Sequence, residues 1–177
     1  MAITDVVLDE LGDAIRNVPD FPEKGIQFKD ITPVLSDARL LDGCISHLVG
    51  EHSPDTIDVV AGIDARGFIF GAAMARELSV GFVPIRKKGK LPWDTYEESY
   101  DLEYGSNTIA IHKDAVLKGQ RVLLVDDLLA TGGTVESVSK LLYSQDKKIT
   151  GLSIVIELSE LNGREKFDFP VISRITY

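Results

Sequence analysis

The chain has 177 residues, 44% of them hydrophobic, which is enough for one core and too short for two independent domains. Its 19 basic and 28 acidic side chains leave a formal charge of −9, which argues against a general nucleic-acid or membrane-surface binder. A single cysteine, Cys44, excludes a disulfide framework within one chain and suits a reducing cytoplasm.

Neither a signal-peptide pattern nor an apolar run of spanning length appears, so the expectation is a soluble, cytoplasmic, single-domain protein over residues 1–177. Val6, Val7, Leu11, Ala14 and Ile15 fall on one stripe of an N-terminal helix that ends before a turn over 17–22. Residues 25–33 run as an irregular or short-strand segment, and a second helix over 37–51 turns Leu40, Leu41, Ile45 and Leu48 inward. The apolar run DVVAGI at 58–63 reads as a buried strand, with a turn at 64–67, a helix to Leu78 and a further strand over 80–85. Residues 86–99 lack a core pattern and read as a mobile surface loop. Segments 102–104 and 108–111 flank a turn at Gly105, Ser106 and Asn107, a predicted hairpin. A strand at 122–125 with its helix, an apolar strand at 152–156 and the tail 169–175 complete the chain. Strands alternating with helices predict an α/β fold with a mostly parallel, doubly wound sheet.

The most informative segment is VLLVDDLLAT at 122–131, followed by Gly132, Gly133 and Thr134. The buried strand VLLV ends in two carboxylates, Asp126 and Asp127. A Gly-rich turn then opens a helix with Val135, Val138, Leu141 and Leu142 on one face. Open α/β sheets bind ligands at such strand ends. Gly132 and Gly133 let backbone approach an anion, and unpaired amides with the helix dipole make a phosphate seat. Thr131 and Thr134 add hydroxyl donors, and Thr134 is also a candidate helix cap. Acids beside a phosphate must face something else, namely sugar hydroxyls or a divalent metal. The plain alternative is an ordinary turn with a solvated acid pair, which this order of strand, acids, turn and helix disfavours.

Asp64, Ala65, Arg66 and Gly67 form a second strand-to-helix turn, where Arg66 can offer a forked donor to a pyrophosphate. Arg86, Lys87, Lys88 and Lys90 crowd the end of the next strand. Such runs are usually solvated faces, but this one starts on the same sheet edge as the two turns. His47, His52 and His112 have no metal spacing, and no GxxxxGK[ST] string supports a P-loop hydrolase.

The 122–134 order resembles the phosphoribosyl pyrophosphate (PRPP) signature of type I phosphoribosyltransferases. The blocks GIQFKDIT (25–32), GIDARGFIFG (62–71), PIRKKGKLP (84–92), SYDLEYG (99–105) and ELSELNGREK (157–166) are similar, in order, to those of the adenine phosphoribosyltransferases. The resemblance implies a type I phosphoribosyltransferase fold with a small N-terminal helix and base-binding hood over about 1–36 and a flexible lid over about 86–107. It implies transfer of the 5-phosphoribosyl group from PRPP to adenine, forming AMP and pyrophosphate, with Mg²⁺ held mainly by PRPP and water and by no direct side-chain ligand. PRPP would lie against Asp64, Ala65, Arg66, Arg86, Lys87, Lys90, Asp126, Asp127 and the turn Ala130, Thr131, Gly132, Gly133 and Thr134. Asp126, Asp127 and Arg66 would act in catalysis, and Glu103 would assist proton transfer at the purine. A non-proline cis peptide is expected at Asp64–Ala65. Gln27, Phe28 and Lys29 would bind the base, although the family commonly has arginine at the position of Lys29, and lysine lacks its planar fork. By the same resemblance the active unit is a homodimer, with Arg86 reaching the neighbouring subunit's pyrophosphate. The alternatives are a transferase for xanthine, hypoxanthine or guanine, and a non-catalytic PRPP-sensing regulator. The net charge and the lack of a basic helix tell against the second.

Overall fold

The computed structural model describes residues 3–101 and 106–177. Contacts divide the chain into two compact units, 1–47 and 48–177.

The first unit holds α1 (Ile3–Ala14), β1 (Arg16–Pro19), β2 (Gln27–Asp30), α2 (Thr32–Ser36) and most of α3 (Ala38–Val49). Leu11, Ile15, Ile31, Val34, Leu40 and Cys44 are buried. The turn expected over 17–22 is instead strand at its start: β1 pairs antiparallel with β2 from Arg16↔Asp30 to Pro19↔Gln27. Arg16 and Asp30 form an ion pair at 3.4 Å, and Asn17 Nδ2 donates to Gln27 Oε1 at 3.1 Å. A four-residue strand held by cross-strand polar pairs carries no apolar alternation to read. Asp30 Oδ1 accepts from the Thr32 amide at 2.9 Å and from its hydroxyl at 2.6 Å, fixing the entry into α2.

The second unit is built on β3 (Val59–Ile63), α4 (Gly67–Glu77), β4 (Gly81–Lys87), β5 (Thr95–Asp101), β6 (Ser106–His112), β7 (Arg121–Leu129), α5 (Gly133–Tyr143), β8 (Lys148–Glu157) and β9 (Val171–Thr176). These strands form one sheet in the order β5-β6-β4-β3-β7-β8-β9. The run from β4 to β9 is parallel, and β6 is antiparallel to both β4 and β5. Val59, Ala61 and Ile63 share a buried cluster with Val122 and Leu124 of β7 and with Val135, Val138, Leu141 and Leu142 of α5. Val60 and Leu123, on the alternate face, are fully buried outside that cluster, as are Phe70 and Met74 of α4. The sheet is therefore covered on both sides, the doubly wound arrangement expected. Among the described residues no helix is long and apolar enough to cross a membrane.

The loop expected over 86–99 is the main departure. β4 runs on to Lys87, and residues 95–101 form β5, paired with β6 from Thr95↔His112 to Asp101↔Ser106. Ser106 and Asn107, expected in the turn of a hairpin, lie in β6, and residues 102–105, which include that hairpin's expected first strand, lie outside the described residues. As an edge strand, β5 has the sequence TYEESYD, with Tyr96 packed on the core and Glu97 paired to Lys88 at 2.6 Å. Charged edge strands of this kind resist pairing with other chains and read as loop.

Asp58 and Arg121 tie the entries of β3 and β7 together. Asp58 accepts from the Arg121 amide at 2.7 Å, from Nε at 3.0 Å and from Nη2 at 2.7 Å, and Arg121 Nη1 donates to the Asp55 carbonyl. Hydrogen bonds from the Arg121 side chain and then its amide hold the Asp58 carboxyl at about 2. A carboxyl lowered on folding contributes stability above its unfolded value of 3.8, and that contribution is lost as the pH falls toward 2. Asp58→Asn is expected to lower Tm at neutral pH, with the deficit narrowing as acid melts approach pH 2. A deficit that does not change with pH would show that the charge plays no part.

Candidate active site

Adjacent parallel strands β4, β3 and β7 bring three carboxyl ends to one rim. Arg86 and Lys87 end β4, the turn at 64–67 follows β3, and Asp126 and Asp127 lie on β7. The acids are not at a strand end as expected. β3 stops at Ile63 and its last pair with β7 is Gly62↔Val125, but β7 continues along β8 through Asp126↔Ile154, Leu128↔Ile156 and Leu129↔Glu157. The acid pair therefore sits inside a strand, just past the end of its neighbour. Gly67, the first residue of α4, fills that opening. A Cβ there would lie 2.6 Å from the Val125 carbonyl oxygen and 3.0 Å from Asp126 Oδ1, so no other residue fits.

The rim carries alternating charges. Asp127 is only 4% exposed, and its Oδ2 lies 2.8 Å from Arg66 Nε. That contact is an ion pair by distance, yet Asp127 Oδ2 receives no well-aligned hydrogen bond among the described residues. The oxygen keeps the capacity to accept from a sugar hydroxyl or a water. Asp126 Oδ1 accepts the Asp127 amide at 2.9 Å. Burial, reinforced by the neighbouring Asp127 charge, pushes the Asp126 carboxyl well above the ordinary carboxylate range. Burial also raises Asp127, with Arg66 opposing the shift. Arg86 shows the same pattern: Nε donates to Asp64 Oδ2 at 3.0 Å, Nη1 donates to the Lys90 carbonyl at 3.1 Å, and the guanidinium lies 5.9 Å from the Phe68 ring centroid. Both expected pyrophosphate ligands thus have an acidic partner within the chain. The Asp64–Ala65 peptide is cis, as expected.

Beside the acids lies a cleft of about 630 Å³ lined by Asp126, Leu128 and the turn Ala130, Thr131, Gly132, Gly133 and Thr134. Gly132 caps α5 in the left-handed conformation, φ 78 and ψ 2. Thr134 is not the cap: it lies inside the first helical turn, and no side-chain hydrogen bond caps α5. The Glu136 amide makes the helical bond to the Gly132 carbonyl at 2.9 Å, so the amides ahead of it face the cleft without helical acceptors. A second cleft of about 270 Å³, with Asp64, Arg86 and Lys87 in its wall, shares Thr134 with the first.

The structure therefore brings together Asp64, Ala65, Arg66, Arg86, Lys87, Asp126, Asp127 and 130–134. Lys90 is placed beside Arg86 through its carbonyl group. Gln27, Phe28 and Lys29 form β2 of the first unit, where Phe28 meets Phe21 edge-on at 5.1 Å. Glu103 lies outside the described residues. Sequence reasoning missed Ser99, Lys140 and Lys166 in the wall of the larger cleft. Lys140 pairs with Glu136 at 2.8 Å and Lys166 with the same carboxylate at 3.4 Å. The Glu136–Lys140 spacing was a legible signal of a helical pair but not of its place beside a cleft.

The phosphoribosyl transferase domain family matches residues 33–174. An adenine phosphoribosyltransferase of Maricaulis maris is 52% identical over 171 residues, covering 95% of this chain and 98% of the relative. This chain belongs to the adenine phosphoribosyltransferase family. A second family member, from Caldanaerobacter subterraneus subsp. tengcongensis, is 50% identical over 97% of this chain and its own full length. The crystal structure of the Rhodothermus marinus adenine phosphoribosyltransferase superposes with a TM-score of 0.92 at 47% identity, covering 98% of this chain and 99% of that one. The Saccharomyces cerevisiae enzyme, complexed with an imino-altritol bisphosphate and adenine, gives 0.87 at 35% identity, covering 96% and 99%. The expected type I phosphoribosyltransferase fold is thus the one observed.

A carboxyl raised by burial costs stability once the pH exceeds its unfolded value of 3.8, and the loss is complete above its folded value. Asp126→Asn keeps an acceptor for the Asp127 amide and removes the charge. It is expected to raise Tm at pH 8, with the gain shrinking in acid, while weakening PRPP binding. A lower Tm at pH 8 would refute the assigned cost.

Proposed function

We propose that the chain transfers the 5-phosphoribosyl group of PRPP to adenine, releasing pyrophosphate and forming AMP. The observation that carries this reading is the acid pair, Asp126 half-buried and Asp127 buried, beside a glycine-capped helix start, on one rim with two arginines, in a chain similar end to end to adenine phosphoribosyltransferases.

The amides of the turn at 130–134 hold the 5-phosphate, and the positive end of α5 favours its charge. Asp126 and Asp127 hold the ribose hydroxyls. Asp127 Oδ2 lies 2.8 Å from Arg66 Nε, so the guanidinium holds that carboxylate in place beside the cleft. As the C1–O bond breaks, positive charge grows on the ribose and negative charge on the pyrophosphate. The acid pair favours the first, and Arg66, Arg86, Lys87 and Lys90 favour the second. Ala65 presents its backbone to the pyrophosphate. No covalent enzyme intermediate is needed, because positioning and fixed charge lower the barrier.

Among the described residues no three His, Cys, Asp or Glu side chains converge on a metal-sized site. The residues fit an ion that arrives with its substrate: Asp127 Oδ2, lacking an aligned donor, can accept from one of its waters. Mg²⁺ held by PRPP oxygens and water would neutralise charge on the leaving pyrophosphate. Glu103 assists proton movement at the purine, in a lid formed by the segment 86–107. Gln27, Phe28 and Lys29 read the base. The working form is a cytoplasmic homodimer in which Arg86 exchanges Asp64 for the neighbouring subunit's pyrophosphate.

Pyrophosphate release from PRPP and Mg²⁺ is expected with adenine and not with hypoxanthine, guanine or xanthine. Preference for another purine would reassign the base, and no release with any of the four would end the transferase reading. Glu103→Gln is expected to lower kcat by about one to three decades with little change in the KM for PRPP. Wild-type turnover in that variant would remove Glu103 from the chemistry.

A further inference from the structure

The turn that seats the phosphate does not hold its shape alone. Gly132 and Gly163, far apart in sequence, meet backbone to backbone. A Cβ on Gly132 would lie 2.8 Å from the Gly163 carbonyl oxygen and 3.0 Å from Phe167 Cζ. A Cβ on Gly163 would overlap the Ala130 carbonyl oxygen outright and lie 3.1 Å from the Gly132 nitrogen. Gly163 is not in the left-handed region, so its own backbone would accept alanine and the contact alone refuses it.

Gly163 opens the short 3₁₀ turn Gly163–Lys166, and the next residue anchors that turn to the sheet. Arg164 Nε donates to Glu157 Oε1 at 2.8 Å and Nη2 to Oε2 at 2.5 Å, a two-pronged pair on a carboxylate that is only 5% exposed. Arg164 Nη1 also donates to the Val171 carbonyl at 3.0 Å, and Ser173 Oγ donates to Glu157 Oε2 at 2.5 Å. Glu157 ends β8, opposite Leu129 at the end of β7, and the Leu158 amide donates to the Leu129 carbonyl at 2.9 Å. The strand end that launches the phosphate turn and the residue that presses on it are thus fixed to one frame.

We propose that Glu157 and Arg164, acting through Gly163, are positioning residues that hold the turn 130–134 in its anion-binding conformation without touching substrate. This rests on the transferase reading for the identity of the anion, a 5-phosphoribosyl group. Removing the clamp frees the turn to relax away from the cleft, so binding of the phosphate end should weaken while the base end is unaffected.

The test is calorimetric titration of ribose 5-phosphate into wild type, Gly163→Ala, Arg164→Lys and Glu157→Gln, with KM values for PRPP and adenine measured in parallel. Folding of each variant is checked by circular dichroism. Gly163→Ala is expected to weaken ribose 5-phosphate binding by about ten- to hundredfold and to raise the KM for PRPP, leaving that for adenine unchanged. Arg164→Lys, which keeps the charge and loses the fork, should fall in the same direction by a smaller factor. If Gly163→Ala does not fold, Arg164→Lys and Glu157→Gln decide the matter. Folded variants that bind ribose 5-phosphate as wild type does, even with a lowered Tm, would reduce the clamp to a stabilising contact and overturn the proposal. A wild type that binds ribose 5-phosphate but transfers nothing to adenine would defeat the transferase reading and leave the clamp to be judged on the variants. A wild type that does not bind it would overturn both.

Discussion

The site depends on the unequal lengths of two neighbouring strands. β3 ends at Ile63 while β7 runs on to Leu129 beside β8, so Asp126 and Asp127 are held by strand geometry on one side and bordered by a turn on the other. A strand supplies rigidity that a loop would not, and the missing neighbour supplies the opening. Gly67 lets α4 start directly against Val125 and Asp126, closing the rear of that opening with backbone alone. Had β3 been longer, Asp126 would face another strand. Had β7 stopped at Val125, the acids would swing with the turn.

The charges on this rim account for how an acidic chain can bind a highly anionic substrate. Arg66 is drawn to Asp127 and Arg86 to Asp64, so each guanidinium is held at the edge of the cleft before any ligand arrives. On the proposed reading, substrate binding is an exchange of anionic partners rather than the capture of free cations. Little reorganisation is needed as charge develops, which is the condition under which fixed dipoles and charges act most strongly. The acids bear the cost, since loss of solvent raises both carboxyls above their ordinary range. Retaining two such groups inside an otherwise apolar strand makes structural sense only if function demands it.

Much of this was legible in the sequence because it is written locally. The apolar runs of β3, β7 and β8 and the stripes of α3 and α5 declare themselves by composition and period. The order of acids, glycines and helix marks the strand, turn and helix start that line the larger cleft. What escaped depends on partners distant in sequence. β1 is too short and polar to show a period and exists because Asp30 and Gln27 lie across from it. β5 reads as loop because an edge strand with Glu97 and Glu98 on it satisfies solvent as well as its neighbour. Thr134 looked like a helix cap by type, but the left-handed Gly132 takes that place, a backbone choice that residue preference alone does not reveal. The acids seemed to terminate β7 because nothing local shows that β8 keeps pairing beyond them.

The pairing of Gly132 with Gly163 sharpens the last point. Two glycines in a turn are usually taken as a self-contained anion motif, yet one of them is glycine partly for a contact behind it, away from the cleft. Gly133, by contrast, has among the described residues only the Thr131 hydroxyl, at 3.9 Å, near where its Cβ would be. The two adjacent glycines thus differ: one is packed against the protein and the other is not. A turn supported in this way gains a defined shape from the sheet, through Glu157 and Arg164, rather than from its own few residues. That is why the block ELSELNGREK, which alone reads as strand and loop, belongs with the phosphate signature: the first determines whether the amides of the second converge.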